Sequence, residues 1–526
     1  MGFETGVAFL LGTPLMDAFD WLGRRAALSP NKVALIDTVR GGREITYRDW
    51  NRAANRTAHF LREKTEVCQG DRVAVLALND VDVLDVWFAC AKLGAVFSPL
   101  NFRLTSHELG QYMRTIKPKV LLYGKEFVQA VCELGARDDL AVTHYVAFDA
   151  RVRARGGDLC FSERVDASDA GPARVQLRWD DPWVLCGTGG TTGTPKAAML
   201  TYRSMTANAV NTVSSFELYP TDVTILNAPL FHTGGLNVFT APLVLAGGTS
   251  IVCRSFDADE VLHLTASRGV SIFFGVPTMF LGLSQATGFV HGALRQLRIC
   301  ISGGAPCPEP IFHTYWNRGI ELKTGYGLTE AGPNNFWLPK EDVRRKVGSV
   351  GAPLFFVNLR IVDGTGESVG VGEVGELQLR GPHVFSGYFE DKIATSVVFL
   401  NGWLHTGDLV RQDDDGHVYI VGRSKDLIIS GGENVYPAEV EAVLMGHPLV
   451  AEAAVVGVAH SKWGQVPRAY VVLRGTSETT TAEGLSEQLR AYCRERLAKF
   501  KAPESFVFVT SLPRTGAGKV DKKQLV

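Results

Sequence analysis

Cysteine is scarce and carries no pattern. The nine cysteines (68, 90, 132, 160, 186, 253, 300, 307 and 493) are scattered, odd in number and form no CxxC pair. A disulfide framework is not expected, nor a zinc site, because no Cys/His cluster has ligand spacing. Most of these thiols sit in apolar runs such as Ile299-Cys300-Ile301, which reads as buried free thiols in a reducing, cytoplasmic compartment. Neither sign of charge dominates: 54 Lys and Arg against 55 Asp and Glu leave a net charge of −1. That gives no basic field for nucleic acid and no polybasic patch for anionic lipid. No apolar run approaches 18 residues, so no transmembrane helix or integral membrane association is expected. Met1 to Gly6 lacks a basic leader, and Gly6 fails the Ser/Thr requirement for myristoylation. There is no internal repeat and no low-complexity tract.

What is present is glycine in concentrated places. Between two apolar, strand-like runs, positions 187–196 consist only of Gly, Thr, Pro and one Lys. Glycines let backbone N–H groups converge on an anion, threonines add hydroxyl donors and Lys196 adds a point charge. Thr188, Gly189, Gly190, Thr191, Thr192, Gly193 and Lys196 are thus candidates to grip a triphosphate. A long hairpin turn is the structural alternative. The stretch is not a Walker A loop, since Pro195 precedes Lys196 and Ala197 follows it.

At 526 residues the chain is too long for one ordinary core. Residues 14–27 read as an amphipathic helix, 32–37 and 44–47 as strands, and 47–62 and 82–93 as helices separated by a strand at 72–78. Further strands are expected near 118–123, 144–148, 249–253, 271–275 and 298–302. This alternation predicts helix-covered, mostly parallel sheets. Residues 150–180 read as a surface excursion. Around 350–421 short alternating strands joined by Gly/Asp turns predict a small β-rich subdomain. Its Asp413-Asp414-Asp415-Gly416 reads as a hairpin turn rather than a calcium loop. A compact α+β segment follows, with strands at 453–458 and 469–473 and a helix at 485–498 that turns Leu485, Leu489, Tyr492 and Leu497 inward. The fold class is therefore α/β: a large domain at 1–423 and a small, mobile α+β domain at 424–526.

Several further segments carry side chains suited to chemistry. Asn227-Ala228-Pro229-Leu230-Phe231-His232-Thr233-Gly234-Gly235 ends a strand and opens a helix; Ile301-Ser302-Gly303-Gly304-Ala305-Pro306 ends another, at the sheet edge where open α/β sheets bind ligands. In Thr324-Gly325-Tyr326-Gly327-Leu328-Thr329-Glu330, Tyr326 can stack on a base, Thr329 can donate to a phosphate and Glu330 can hold Mg²⁺. Asp408, in a predicted turn, can accept from two ribose hydroxyls, with an Asx turn as the alternative. Lys519, in Gly516-Ala517-Gly518-Lys519, reads locally as a solvated tail lysine.

Taken together, these motifs resemble, in order and across essentially the whole chain, the adenylate-forming superfamily of acyl- and aryl-CoA synthetases, peptide-synthetase adenylation domains and luciferases. The usual family loop has Ser at Gly189 and Gly at Ala197. The resemblance implies a ligase that joins a carboxylic acid to AMP, with release of pyrophosphate, and then passes the acyl group to coenzyme A. ATP, Mg²⁺ and coenzyme A would be its cofactor and co-substrates, and a small-molecule acid its partner; a homo-oligomer stays open. It implies catalytic roles for Lys519, Thr329, His232 and Glu330, with Glu330 on the metal. Nucleotide contacts would come from the 188–196 loop, Gly304, Ala305, Pro306, Gly325, Tyr326, Gly327, Asp408 and Arg423. Lys425 would be the hinge, and Gly431, Gly432 and Glu433 would lie along coenzyme A. An acyl pocket would use Phe231, Gly235, Asn237, Val276, Gly303 and Pro333, without a cation for a second carboxylate or an Asp for an α-amino group. The segment looks most like bacterial acyl- and hydroxycinnamate-type ligases, which implies an aromatic or medium-to-long-chain fatty acid. Loading of a carrier protein in trans, a luciferase-like oxygenase and a non-catalytic binding protein are the competing readings.

Overall fold

The computed structural model describes residues 20–188, 195–475, 481–515 and 519–525. Two seven-stranded sheets form the first part of the chain. One runs in the order 159–160, 144–147, 120–123, 72–76, 96–99, 182–188, 196–201, and all its pairs are parallel except the last. The other runs 322–324, 299–302, 272–275, 223–226, 249–252, 33–37, 43–46, again with one antiparallel pair at the end. Most central strands are buried along their whole length, which is why they read as continuous apolar runs rather than alternating ones. Between them lies an aromatic core in which Trp183 stacks on Tyr202 at 5.3 Å and on Trp87 at 5.5 Å.

The helix Val81–Leu93 shows how local chemistry sets these elements. Asp80 caps its first turn by accepting from the Asp82 N–H, and twelve of its thirteen residues are buried between sheet and neighbouring helices. A burial so complete leaves little amphipathic signal, and the helix is held by packing. Of the N-terminal helix predicted from residue 14, the structure describes Trp21–Leu28; the earlier part lies outside the described residues.

A third, antiparallel sheet runs 336–337, 349–353, 418–423, 403–412, 375–380, 358–362, with the short strand 399–400 beside 403–404. It is wider than the 350–421 expectation because Phe336–Trp337 joins it from before the glycine-rich turns. A fourth sheet, 433–435, 428–430, 464–473, 450–460, carries 505–508 parallel to its long central strand. Its own core contains Val440, Leu444, Val455, Leu485 and Leu489.

Three expectations change, and a fourth holds. The 150–180 stretch is not merely a surface excursion: Leu159–Cys160 completes a sheet, and buried Phe161 packs against Phe60 and Phe148. Its Arg164 reaches inward to Asp82 and Asp85, both at 2.6 Å. In the helix Ala482–Arg496 the buried residue of the third turn is Cys493, Tyr492 is half-buried, and Leu497 lies just past the end. Asp408 is not in a turn but inside the ten-residue strand Trp403–Gln412. The 413–416 segment is the expected hairpin; Asp413 and Asp415 each take the Lys346 ammonium at 2.7 Å, which fills the space a cation would use.

Candidate active site

The site lies where the C-terminal edges of the second sheet meet the third sheet. Strand Ile272–Gly275 leads into Val276, strand Ile299–Ser302 into Gly303, and strand Leu322–Thr324 into Gly325. The turns continue the ladder: the Gly303 N–H donates to the Gly275 carbonyl at 3.1 Å, and the Gly325 N–H to that of Ser302 at 2.7 Å. Gly304 stands against Val276 with positive φ, and it, Ala305 and Pro306 are exposed. Gly327 is required by contact: a Cβ there would lie 2.2 Å from the Pro333 carbonyl oxygen.

Tyr326 turns its ring toward Phe336, and its hydroxyl donates to Asp408 Oδ2 at 2.5 Å. Arg423 Nε meets the other oxygen of Asp408 at 2.6 Å. Asp408 and Arg423 are register partners on adjacent strands, so the sheet itself aligns the pair. Burial pushes the Asp408 carboxyl upward, and Arg423 and the Tyr326 hydroxyl hold it back. Burial also pushes the Tyr326 hydroxyl well above the usual phenol range, so it stays protonated as a donor.

Thr329 and Glu330 occupy the single turn Thr329–Ala331, closed by pairing of Leu328 with Gly332. Glu330 Oε1 accepts from the Tyr388 hydroxyl at 2.8 Å. Tyr388 follows a segment that pairs with strand Lys196–Thr201: Met199 N–H donates to Gly387 O at 3.0 Å, and Phe389 N–H to Ala197 O at 2.8 Å. Lys196 lies 5.0 Å from the centre of the Tyr388 ring and is in register with Thr188 across the loop. Gly189, Gly190, Thr191, Thr192 and Gly193 lie outside the described residues.

His232 stands ahead of the short helix Thr233–Asn237. Asn79 fixes the approach, donating to Ala228 O at 2.9 Å and accepting from Leu230 N–H at 3.0 Å. Phe231 meets Phe102 edge-on at 4.8 Å, with the Arg103 guanidinium 5.8 Å from its ring. Burial lowers His232 to about 4, and the positive charges of Arg103 and Lys519 add to the effect. The imidazole is therefore neutral at physiological pH.

Gly235 packs on main chain rather than on open space, since a Cβ there would be 2.4 Å from the Pro229 oxygen. Phe274 is the neighbour of both Gly234 and Gly303. Asn237 is buried, its amide donating to Thr233 Oγ1 at 2.9 Å.

Lys519 is brought to this group from the far end of the chain. Burial by the cleft walls lowers its ammonium below the usual lysine range, and the charge of Arg423 adds to that; Asp408 and Glu330 oppose it. One side of the residue stays open to solvent. Its main chain closes a small loop, Thr515 N–H donating to Lys519 O at 2.8 Å. Lys425 is exposed in the turn Ser424–Asp426, between the third sheet and the fourth. Gly431, Gly432 and Glu433 are exposed on the fourth sheet, where Gly431 N–H donates to Trp463 O at 2.8 Å. In this arrangement the Gly431 contact runs within its own domain, while Lys519 lies within electrostatic reach of His232, Glu330 and Asp408.

Tyr388, Phe274, Arg103 and Asn79 were not singled out from sequence. Tyr388 gave no local signal because its position depends on pairing with a strand nearly two hundred residues earlier.

A carboxylate–arginine pair, a carboxylate held by a tyrosine and a lysine from the far end of the chain gather beside one sheet edge, an arrangement suited to a nucleotide. Comparison with known proteins points the same way. The description "AMP-binding enzyme" matches residues 22–389, and "AMP-binding enzyme C-terminal domain" matches 439–519. Feruloyl-CoA synthase from Amycolatopsis sp is 39% identical over 505 residues, 96% of this chain and 97% of that protein. Indoleacetate–CoA ligase from Aromatoleum aromaticum is 36% identical over 516 residues, 97% of this chain and 98% of that one. The solved structure of o-succinylbenzoate coenzyme A synthetase from Bacillus subtilis, in complex with ATP and magnesium ion, superposes with a TM-score of 0.83 at 32% identity. It covers 96% of this chain and 99% of that one. The chain belongs to the AMP-binding enzyme family.

Proposed function

We propose that this protein is an AMP-forming acid–CoA ligase whose acid is aromatic or a medium-to-long-chain fatty acid. The observation that carries the reading is that Lys519 lies within electrostatic reach of Glu330, Asp408 and His232. An unactivated carboxylate lacks a leaving group. Attack of its oxygen on the α-phosphorus of ATP forms acyl-adenylate and expels pyrophosphate; the thiolate of coenzyme A then forms the thioester and expels AMP.

In the first half-reaction charge builds on phosphate oxygens, so cations and donors already in place supply much of the acceleration. Lys519 and Thr329 serve the α-phosphate, and the 188–196 loop the β- and γ-phosphates. Glu330 would hold Mg²⁺: its carboxylate is a hard oxygen ligand oriented by Tyr388, and the metal would neutralise phosphate charge there. Asp408, with Arg423 behind it, takes the ribose hydroxyls; Tyr326 and the Gly304–Pro306 and Gly325–Gly327 turns take the base. His232, neutral and beside Phe231, separates nucleotide from acyl group. Phe231, Asn237, Val276, Gly303 and Pro333, joined by Phe274, line the acyl side.

The second half-reaction needs Gly431, Gly432 and Glu433 where Lys519 now stands. The division between a large domain at 1–423 and a small one at 424–526, with Lys425 as hinge, permits that exchange. The feruloyl and indoleacetate relatives favour an aromatic acid first. Nine thiols with no disulfide among them suit a reducing, cytoplasmic compartment.

The test is release of pyrophosphate and AMP from Mg²⁺ and ATP across a panel of aromatic and fatty acids, with and without coenzyme A. AMP formation that depends on one acid class and on coenzyme A is expected. No AMP from any acid would refute the reading, and AMP formation that needs a carrier protein instead would refute the choice of acceptor.

A further inference from the structure

The third sheet presents a solvent face on which apolar and cationic side chains collect; Trp403 begins the strand that carries Asp408 further along, and none of the patch side chains has a role in the catalytic cycle. Asn358, Arg380 and Trp403 lie in adjacent register positions, and Leu400 pairs with Trp403. The Arg360 and Arg380 guanidinium groups stand 4.7 and 4.4 Å from the Trp403 ring. Beside Gly381, whose Cβ would lie 2.5 Å from Phe356 O, the chain makes a tip of two phenylalanines in edge contact at 4.8 Å. Phe355 is 78% exposed, yet the tip is anchored, since Phe356 N–H donates to the buried amide oxygen of Asn211 at 2.9 Å. On the other side of Leu400, the helix Lys392–Val398 buries Ala394 and leaves Ile393 80% and Val397 68% exposed, one turn apart on one face. Lys392 is exposed at its start.

Five exposed large apolar residues thus lie on segments that adjoin the strands carrying Trp403, Arg360 and Arg380. Carboxylates near this surface are engaged. Glu376 binds His405 at 2.9 Å, Asp391 caps Ala394 N–H at 2.8 Å, and Glu390 pairs with Lys117 at 2.5 Å. Glu376 and Asp391 keep their charge, so Arg360, Arg380 and Lys392 leave the patch with a small net positive sign that the near-zero net charge of the chain conceals.

We propose that this face is a peripheral docking surface for an anionic lipid bilayer. Exposed Phe and aliphatic residues enter the acyl boundary, Trp403 sits at the headgroup level, and the arginines meet lipid phosphates. A second copy of the chain would meet the same three cations head-on across a two-fold contact, which disfavours self-association through this face. Docking here would leave the enzyme at the interface where poorly soluble acids partition.

The test uses the full chain with sedimenting vesicles of phosphatidylcholine alone or with roughly one-third phosphatidylglycerol. Binding is expected only with the anionic lipid and should weaken with salt. Arg360→Gln and Arg380→Gln should each lower the vesicle partition coefficient about fivefold. Phe355→Ser with Ile393→Ser should lower it on the order of tenfold or more. Melting temperature and AMP formation from a water-soluble acid serve as fold controls, and both should be unchanged. Equal binding to the two vesicle types, no binding to either, or a dimer broken by the same substitutions would each overturn the proposal.

Discussion

Replacing Lys519 with alanine separates two consequences of its position. In the parent the ammonium faces Glu330 and Asp408 and adds positive potential at His232. Loss of one preorganised donor to a developing oxyanion costs about 10²–10³ in rate, or roughly 3–4 kcal/mol of barrier. Acyl-adenylate formation, followed by pyrophosphate release in a single turnover, should slow by that factor. Thioester formation from supplied acyl-adenylate and coenzyme A should be nearly spared, because Lys519 would be withdrawn by then. The second consequence needs no substrate. His232 sits at about 4 with Lys519 as one of the causes, after burial and Arg103, so its pKa should rise in the variant while staying below that of a free histidine. Imidazole chemical shifts against pH report this directly. Equal loss in both half-reactions would refute the exchange of loops at one site, and an unmoved His232 would refute the placement of the lysine.

Tyr388→Phe removes the 2.8 Å donor to Glu330 and should raise the Mg²⁺ concentration needed for half-maximal adenylation by about three- to tenfold, near the net worth of one ordinary hydrogen bond; a magnesium titration at saturating ATP reads it. Gly327→Ala would put a methyl group into the Pro333 backbone and should destabilise by about 1–3 kcal/mol, seen as a lower denaturation midpoint in urea. Buried His383, like His232, is lowered to about 4, so the unfolded chain binds the extra proton between the ordinary histidine value and 4. Stability should therefore fall as pH drops through that window, by on the order of 3 kcal/mol per histidine. His383→Phe should flatten the acid limb of the stability profile, and an unchanged profile in urea titrations would contradict the assignment.

Much of this organisation is visible in the primary structure, because fully buried strands and glycine turns leave local marks. The strand 299–302 falls where an apolar run stops at Ser, 375–380 where polar and apolar residues alternate between glycines, and the 324–330 heptad falls on one sheet edge. What is hidden depends on partners distant in the chain. Asp408 looks like a turn residue after Gly407, but pairing with Arg423 draws it into a strand. Gly235 resembles open backbone until the Pro229 carbonyl is seen beneath it. Cys493 rather than Tyr492 fills the small-domain core because helix rotation is set by the neighbouring sheet.

The Asp408–Arg423 bond ends one residue before the Ser424–Asp426 turn, which puts it on the stationary side of the hinge proposed at Lys425. A nucleoside clasped by that pair would stay put while the lysine-bearing lobe swings out. The proposed exchange then implies an order: pyrophosphate would depart early, the adenosine moiety would be retained through thiol attack, and added AMP should compete with ATP for the resting protein.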